Sequence, residues 1–210
     1  MTETELGRLI VLAAPSGAGK TTLVHELLSR EPELEFSISY TTRSPRQNET
    51  NGEDYFFVGK NEFDQMRDHG NFLEYAEVFD NWYGTSEEYV QSRIDAGYSI
   101  LLEIDWQGAQ QIRKRRPDAL TVFIMPPSCE ELERRLRGRQ TDTEEVIQRR
   151  LRGALSDMGH WHEFDFVVIN ENLDQAAAQL AAIVNGRGKV NRTEVPELKS
   201  RVEEILVGED

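Results

Sequence analysis

The sequence predicts a three-layer α/β fold in which helices cover a central parallel sheet. The first observation is a set of four short apolar runs, bounded by polar or turn residues, as in buried strands. The second is that helical patterns separate these runs, which favours a largely parallel, doubly wound sheet. The third is a glycine-rich loop directly after the first run. The four runs are Leu9–Ala13, Tyr98–Asp105, Leu120–Met125 and Asp165–Asn170.

Length and composition limit the classes of protein to which the chain can belong. Its 210 residues suffice for one α/β domain with inserted pieces. The formal net charge of −14 argues against general nucleic-acid binding, which needs a basic surface. Positive charge is nevertheless concentrated in residues 113–117 and 134–152. Arginine-rich stretches in an acidic protein favour a phosphate site.

The chain has the features expected of a cytoplasmic protein. Its apolar runs are too short to cross a bilayer, and its N-terminus lacks the basic-then-apolar pattern of a signal peptide. The single cysteine, Cys129, excludes an internal disulfide, which fits a reducing compartment. We therefore expect no nucleic-acid partner and no membrane. The sequence leaves open whether the protein forms a homo-oligomer.

Helical and mixed segments lie between the strands. Thr21–Ser29 has leucines and a valine on one face, and Leu173–Val184 is rich in alanine and ends before Gly186. Residues from about 37 to 97 differ, because a loop rich in Pro, Asn and Gly is followed by the aromatic segment DYFFV and the helix-like Asn61–Asp68. These residues predict a small mixed α/β insertion.

An arginine-rich helical hairpin is predicted after the third apolar run. Its first helix, Ser128–Arg137, begins with a capping box of Ser128 and Glu131, and its second begins near Asp142. The hairpin has few candidate core residues, so we expect it to move relative to the sheet. A last amphipathic helix is predicted at Val202–Val207.

The strongest motif is the segment APSGAGKT, from Ala14 to Thr21. It lies between a buried strand and a helix, where the N–H groups at the helix start and the helix dipole attract phosphate. Gly17 and Gly19 let the backbone wrap closely around phosphate oxygens. The motif predicts a nucleoside triphosphate site, with Lys20 at the β- and γ-phosphates and the Thr21 hydroxyl as a ligand of Mg²⁺. The predicted contacts are Ala14, Pro15, Ser16, Gly17, Ala18, Gly19, Lys20, Thr21 and Thr22.

This loop does not by itself define the phosphoryl acceptor. GTPases, motor ATPases and kinases share it, and here Ala14 replaces its first glycine, at little cost if φ stays negative. A GTPase needs a base-reading N-K-x-D tetrapeptide, which the sequence lacks, although Asp105–Gly108 has the D-x-x-G form. The acceptor must therefore be sought elsewhere in the chain.

Several segments of unusual composition resemble the guanylate kinase family. They are Ser39–Arg46 (SYTTRSPR), Gly52–Val58 (GEDYFFV), Phe72–Ala76 (FLEYA), Asn81–Thr85 (NWYGT), Glu103–Gly108 (EIDWQG), Pro126–Ser128 (PPS) and Arg135–Arg139 (RLRGR). Matching segments extend from about Leu9 to Asn170. The resemblance implies transfer of the γ-phosphoryl group of ATP to GMP, and to dGMP as well, giving ADP and GDP. It places the protein in purine nucleotide metabolism and GMP recycling, with Mg²⁺ bound together with ATP.

The resemblance also assigns roles on the GMP side. It implies that the GMP phosphate is bound by one group of residues and the base by another. Glu74 and Thr85 would read the base, because guanine offers N1–H and its 2-amino group to a carboxylate, and O6 to a hydroxyl. Adenine would leave the carboxylate buried and unpaired. The implied phosphate contacts are Arg43, Arg46, Tyr55 and Tyr83, with Ser39 at the edge of the site and Asp105 at the nucleoside.

On the ATP side, the resemblance makes the helical hairpin a lid. Arg135, Arg139 and Arg150 would close over the transferring phosphoryl group and, with Lys20, carry catalysis, since phosphoryl transfer depends on positioning and charge stabilisation. Asn170 would be a further contact to ATP. Two residues depart from the family pattern: Glu103 stands where Asp is common, and Gln140 where Gly follows the second lid arginine.

The predicted organisation has four parts. A phosphate-loop core comprises residues 1–37, 97–127 and 157–190, a GMP-binding insertion residues 38–96, the lid residues 128–156 and a C-terminal tail residues 191–210. Two other functions remain in question: a phosphopeptide-binding module of the kind found in scaffold proteins, and a kinase for UMP or dTMP. The phosphate loop with its lid arginines argues against the first, and Glu74 with Thr85 against the second.

Overall fold

The computed structural model describes residues 7–138 and 144–208, so Arg139 and Gln140 lie outside the described residues. The described chain contains nine strands and eight α-helices. The strands are β1 (Leu9–Ala13), β2 (Leu34–Phe36), β3 (Tyr40–Thr41), β4 (Phe56–Phe57), β5 (Phe72–Val78), β6 (Asn81–Ser86), β7 (Ser99–Ile104), β8 (Leu120–Met125) and β9 (Phe166–Ile169). The helices are α1 (Lys20–Arg30), α2 (Lys60–Asp68), α3 (Glu87–Asp95), α4 (Trp106–Arg115), α5 (Cys129–Arg137), α6 (Glu144–Met158), α7 (Leu173–Val184) and α8 (Pro196–Val207).

The strands form two sheets. The larger is a parallel sheet of five strands in the order β2-β7-β1-β8-β9, which confirms the predicted fold class. All four predicted strands belong to it, and β1 is buried along its whole length. The fifth strand, β2, was missed because Leu34–Phe36 is only three residues long and contains a glutamate, so it shows no apolar run.

The chain divides into two compact units. The first consists of Met1–Val11 and Glu33–Leu120, and the second of Leu12–Pro32 and Thr121–Asp210. The first unit contains the smaller sheet, in the order β4-β3-β6-β5. Strands β5 and β6 form a hairpin whose two turn residues, Phe79 and Asp80, both have positive φ, as a twisted two-residue turn requires.

Aromatic packing accounts for the core of the smaller sheet. Phe63 of α2 is fully buried and stacks on Phe72 of β5, with ring centroids 4.6 Å apart. Tyr40 stacks on Phe56 at 4.8 Å. Packed aromatic rings contribute apolar burial and specific geometry at once. The buried rings of this small α/β structure are therefore Phe63 and Phe72, while Phe56 of the DYFFV segment is half-buried against Tyr40.

In the second unit, α1 packs against α7, with an ion pair between Arg30 and Asp174 at 2.8 Å. The Ser128 hydroxyl accepts a hydrogen bond from the Glu131 N–H at 3.1 Å, so α5 begins with the predicted N-cap.

The helical hairpin buries more apolar surface than its sequence suggests. Helices α5 and α6 pack on each other, and five of their side chains are buried. The buried residues are Leu132, Leu136, Ile147, Ala154 and Met158. Helix α8 is twice the length predicted, because it begins at Pro196, a residue that suits the first helical turn. In the described part of the chain, no helix is long and apolar enough to cross a membrane.

Candidate active site

The phosphate loop connects β1 to α1 in the second unit. Gly17 and Gly19 have φ of 91° and 88°, conformations that side chains rarely adopt. The Ala18 N–H donates to the Pro15 carbonyl at 3.2 Å, which closes the turn. Gly19 caps α1 without a side-chain hydrogen bond, so the helix starts with backbone groups alone, in the geometry that suits an anion. Lys20 is the first residue of this helix.

Two predicted ATP-side residues converge on the carbonyl of Ala18. Asn170 Nδ2 donates to it at 2.8 Å, and Arg135 Nη1 donates to it at 3.2 Å. A further donor of Arg135, Nη2, lies 3.1 Å from the main-chain oxygen of Asn170. The structure therefore brings the first lid arginine and Asn170 together at the phosphate loop.

Glu131 fixes the other end of the Arg135 guanidinium. Its Oε1 accepts from Arg135 Nε at 2.7 Å, and its Oε2 accepts from Arg134 Nε at 2.6 Å. Hydrogen bonds from Arg134 and Arg135 lower the pKa of Glu131 to about 2. Glu131 is therefore a permanent anion that orients Arg135. Arg150 is half-buried in α6, and Arg139 falls outside the described residues.

In the first unit, Glu74 and Thr85, the two residues predicted to read the base, form a buried pair. They face each other across β5 and β6, with 3% and 0% of their surface exposed. The Thr85 hydroxyl donates to Glu74 Oε1 at 2.6 Å. A carboxyl group this deeply buried needs hydrogen-bond donors, and the Thr85 hydroxyl is one of them.

Gly108 gives this carboxylate its space. A Cβ atom at position 108 would lie 2.3 Å from Glu74 Oε2, closer than any real contact. Gly108 is placed there by the start of α4, where its N–H donates to Asp105 Oδ1 at 2.8 Å. Asp105 is thus the N-cap of α4 in this structure.

Arg43 and Arg46 share the carboxylate of Glu49. Arg43 Nη2 lies 2.8 Å from Glu49 Oε1, and the main-chain N–H of Arg46 donates to Oε2 at 2.7 Å. Burial raises the pKa of Glu49, but the hydrogen bonds from Arg43 and Arg46 lower it by more, so it stays ionised. The guanidinium of Arg43 also lies over the ring of Tyr55, 5.3 Å from its centroid. The two predicted phosphate-binding arginines are therefore already paired with an internal anion.

Tyr55 and Tyr83 meet edge to face, with ring centroids 5.9 Å apart. Burial, together with the charge of Glu103, raises the pKa of Tyr55 to about 12, so its hydroxyl keeps its proton at neutral pH and can donate to a phosphate. Ser39, also predicted here, is buried at the end of the loop that precedes β3. Three of the predicted phosphate contacts, Arg43, Tyr55 and Tyr83, therefore lie together.

Sequence reasoning missed two residues of this site. Glu49 lies three residues after Arg46, a spacing that suggests an ion pair but not its place between two arginines. Gly108 is part of the EIDWQG segment, but its proximity to Glu74 depends on the packing of α4 on β5. Each role depends on a contact that the sequence does not show. Glu49 meets the two arginines where a loop folds back, and Gly108 meets Glu74 where α4 packs on β5.

Comparison with known proteins identifies one family. A model of the guanylate kinase family matches residues 6–187. The guanylate kinase of Aromatoleum aromaticum is 56% identical over 178 residues, which cover 85% of this chain and 87% of the relative. That of a Shewanella species is 42% identical over 98% of this chain and 100% of the relative. The crystal structure of guanylate kinase from Anaplasma phagocytophilum superimposes with a TM-score of 0.73 at 32% identity and covers 92% of this chain and 94% of that one.

These matches span both units and include every segment from which the two groups of candidate residues are built. The phosphate loop, the buried Glu74–Thr85 pair and the Arg43–Arg46 cluster all fall within the matched region. The chain belongs to the guanylate kinase family.

Proposed function

We propose that this protein is an ATP:GMP phosphotransferase that converts ATP and GMP to ADP and GDP. Family membership supports the reaction, and one observation carries the choice of acceptor. This is the buried Glu74 carboxylate, which takes a hydrogen bond from Thr85 at 2.6 Å. A buried glutamate beside a threonine hydroxyl suits a base that presents two adjacent donors, and among the common bases guanine does so with N1–H and its 2-amino group.

Thr85 first serves to hold Glu74. Its hydroxyl proton points at Glu74 Oε1 in the structure, so donation to guanine O6 requires the hydroxyl to rotate once the base supplies its own donors to the carboxylate. The N–H groups of guanine would then replace the Thr85 proton on Glu74. This exchange keeps every buried polar group paired only when guanine is the base.

The phosphate of GMP is proposed to bind at Arg43, Arg46, Tyr55 and Tyr83. Arginine side chains offer planar forks of donors that match phosphate oxygens, and the two tyrosine hydroxyls add neutral donors. Glu49 holds Arg43 and the Arg46 backbone in place before the substrate arrives. Ser39 and Asp105 are proposed to complete this side of the site.

ATP is proposed to bind along residues 14–22. Lys20 and the N–H groups at the start of α1 would neutralise the β- and γ-phosphates as the GMP phosphate oxygen attacks and ADP leaves. Asn170 belongs to this side of the site in the same proposal. Arg135 and Arg150, together with Arg139, would stabilise the charge that develops on the transferring group. Arg135 would have to leave the Ala18 carbonyl to do so.

Mg²⁺ is the cofactor expected with ATP. The residue that the phosphate loop offers is Thr21, whose hydroxyl is an exposed hard oxygen donor in the first turn of α1, and this fits the oxygen preference of Mg²⁺. When bound, the ion would neutralise charge on the phosphates.

The wider proposals follow from the sequence. The four-part organisation given above, with a lid at residues 128–156, remains a proposal, as do dGMP as a second acceptor and a cytoplasmic location without a nucleic-acid or membrane partner. Light scattering at two protein concentrations tests whether the protein forms a homo-oligomer.

A coupled assay of ADP release tests the reaction. ATP and Mg²⁺ are supplied with GMP, dGMP, AMP, UMP, CMP or dTMP in separate reactions, and a Lys20→Met variant serves as the inactive control. Turnover restricted to GMP and dGMP supports both the reaction and the base site. Turnover with another monophosphate contradicts the base site, and tight GMP binding without turnover favours the interaction module.

A further inference from the structure

The carbonyl of Ala18, in the middle of the phosphate loop, is held from outside the loop. Asn170 Nδ2 donates to it at 2.8 Å, and Arg135 Nη1 adds a second donor at 3.2 Å. Asn170 itself is firmly placed at the end of β9, because it is only 6% exposed and its main-chain N–H donates to Met125 O at 2.8 Å. A buried side-chain amide on a backbone that is held by the sheet can fix the direction of the carbonyl it contacts.

The direction of this carbonyl determines the direction of the next N–H group. A trans peptide is planar, so the C=O of Ala18 and the N–H of Gly19 point in opposite directions. Gly19 has a φ of 88°, which reverses the chain just before α1 begins at Lys20. A Cβ atom at Gly19 would lie 2.7 Å from Asn170 Nδ2, so the asparagine amide packs directly on this peptide. Because the Ala18 carbonyl is held toward Asn170, the Gly19 N–H points away from Asn170.

We propose that Asn170 is a positioning residue for the phosphate loop, which keeps the Gly19 N–H aimed at the phosphates of the donor nucleotide. This inference rests on the proposed function of the loop. It differs from a direct contact of Asn170 with ATP, because the amide acts on the loop backbone and needs no atom of the nucleoside. The benefit is preorganisation, since the loop pays no cost to turn its N–H when the nucleotide binds.

Ligands with and without a nucleoside distinguish the two roles. The affinities of tripolyphosphate, ADP and adenosine are measured by titration calorimetry in the presence of GMP. The variants are Asn170→Ala, which removes the amide, and Asn170→Asp, which keeps its size but cannot donate to Ala18 when ionised. Asn172→Ala is the matched control, because Asn172 lies two residues away and caps α7 by accepting from Gln175 N at 3.1 Å. Thermal unfolding is recorded for every variant.

The positioning role predicts that both Asn170 variants lose about tenfold in affinity for tripolyphosphate and for ADP, the scale of one buried hydrogen bond. Adenosine should bind them as it binds the wild type. Asn172→Ala should lower the unfolding temperature and leave all three affinities unchanged.

A loss of ADP and adenosine affinity with unchanged tripolyphosphate binding would show that Asn170 contacts the nucleoside and would overturn the inference. Unchanged binding of all three ligands to the Asn170 variants would overturn it as well. If the wild type bound neither tripolyphosphate nor ADP, the proposed function of the loop would fail instead. Asn170→Ala and Asn172→Ala could also lose affinity to the same extent, each in proportion to its fall in unfolding temperature. The loss would then reflect lower stability and would contradict a positioning role.

Discussion

The phosphate loop and the GMP-binding sheet are two regions proposed to bind phosphate groups, and they use different parts of the chain to do it. The loop is nine consecutive residues whose binding groups are backbone N–H donors and one lysine, and its shape is held by Asn170 and Arg135 at the Ala18 carbonyl. The sheet site consists of side chains from separate strands and loops. It already contains two acidic side chains of its own: Glu49, which pairs with Arg43, and the buried Glu74, which accepts a hydrogen bond from Thr85.

Because of this difference, the two regions should respond differently to substitution. A backbone site depends on the direction of its peptide groups, so most of its side chains can change without loss while its supports cannot. A side-chain site depends on each donor and on the partner that orients it, because an unpaired buried group costs more than a lost contact. Substitutions that affect one substrate and spare the other therefore test the comparison.

The largest effect is expected from Lys20→Met, which removes the one side-chain charge of the phosphate loop. Loss of a group that stabilises transition-state charge lowers kcat by about 10³-fold, while the dissociation constant for GMP should stay within about twofold of the wild type. Single-turnover kinetics and GMP titration measure the two quantities. Lys60→Met is the control, because Lys60 is largely exposed and pairs only with Asp64 at 2.8 Å among the ion pairs seen in the described residues. A matching loss of GMP affinity would contradict the separation of the two regions.

The next effect is expected from Glu74→Gln, which keeps the shape of the buried side chain and removes its charge. Glutamine offers one acceptor and an unwanted donor to guanine, so kcat/KM for GMP should fall by about 10²-fold while KM for ATP changes little. Steady-state kinetics with each substrate varied in turn provide the measurement. Glu77→Gln is the matched control, because Glu77 is exposed on the same strand. An equal rise in both KM values would mean that Glu74 supports the fold and does not read the base.

Much of the fold could be predicted from the sequence, because its signals are local. The predicted bounds of β1, β8 and α7 are those of the structure, since each is a continuous apolar or alanine-rich run between turn residues. Strand β2 was missed because three residues with a half-buried Glu35 carry no periodic pattern. Helices α3 and α4 were not predicted either, although they have nine and ten residues, so a local signal can also be missing from an element of ordinary length.

The site residues divide in the same way. The phosphate loop is contiguous, so its residues could be named from one motif. In the sheet site, Arg43, Glu74 and Thr85 could be named only through the family resemblance, and Glu49 could not be named at all. Its role depends on a loop that folds back so that one carboxylate meets an arginine side chain and another residue's N–H. Partners of this kind belong to the three-dimensional structure and leave no motif.

A smaller effect concerns the pH dependence of stability that Tyr55 gives to the sheet site. The pKa of Tyr55 is about 12 in the folded protein, because of burial and the charge of Glu103, against an ordinary value of 10.0. The unfolded chain therefore loses this proton first as pH rises, so the stability is complete below about pH 10 and falls between about pH 10 and 12. Between pH 9 and 11 the contribution of Tyr55 to the free energy of unfolding should fall by about 1.4 kcal/mol. Urea unfolding of the wild type and Tyr55→Phe measures it as a difference.

Tyr89→Phe provides the control for that experiment, because Tyr89 is 42% exposed and loses the same hydroxyl. The free energy of unfolding of Tyr89→Phe should fall with rising pH as that of the wild type does. That of Tyr55→Phe should fall less steeply. Parallel curves for the wild type and Tyr55→Phe would contradict the raised pKa.

The smallest effect is expected from Glu49→Gln, and it decides whether the internal anion helps or hinders the substrate. The carboxylate joins Arg43 Nη2 to the Arg46 N–H, so the neutral amide should let both arginines sample more orientations and raise KM for GMP about fivefold, with kcat and KM for ATP nearly constant. Glu53→Gln, an exposed change in the same loop, controls for charge alone. If the carboxylate mainly competed with the GMP phosphate, its removal would lower KM for GMP. If KM for GMP fell in Glu49→Gln and did not fall in Glu53→Gln, Glu49 would inhibit substrate binding and would not position the arginines. The site would then be held partly closed by its own side chain.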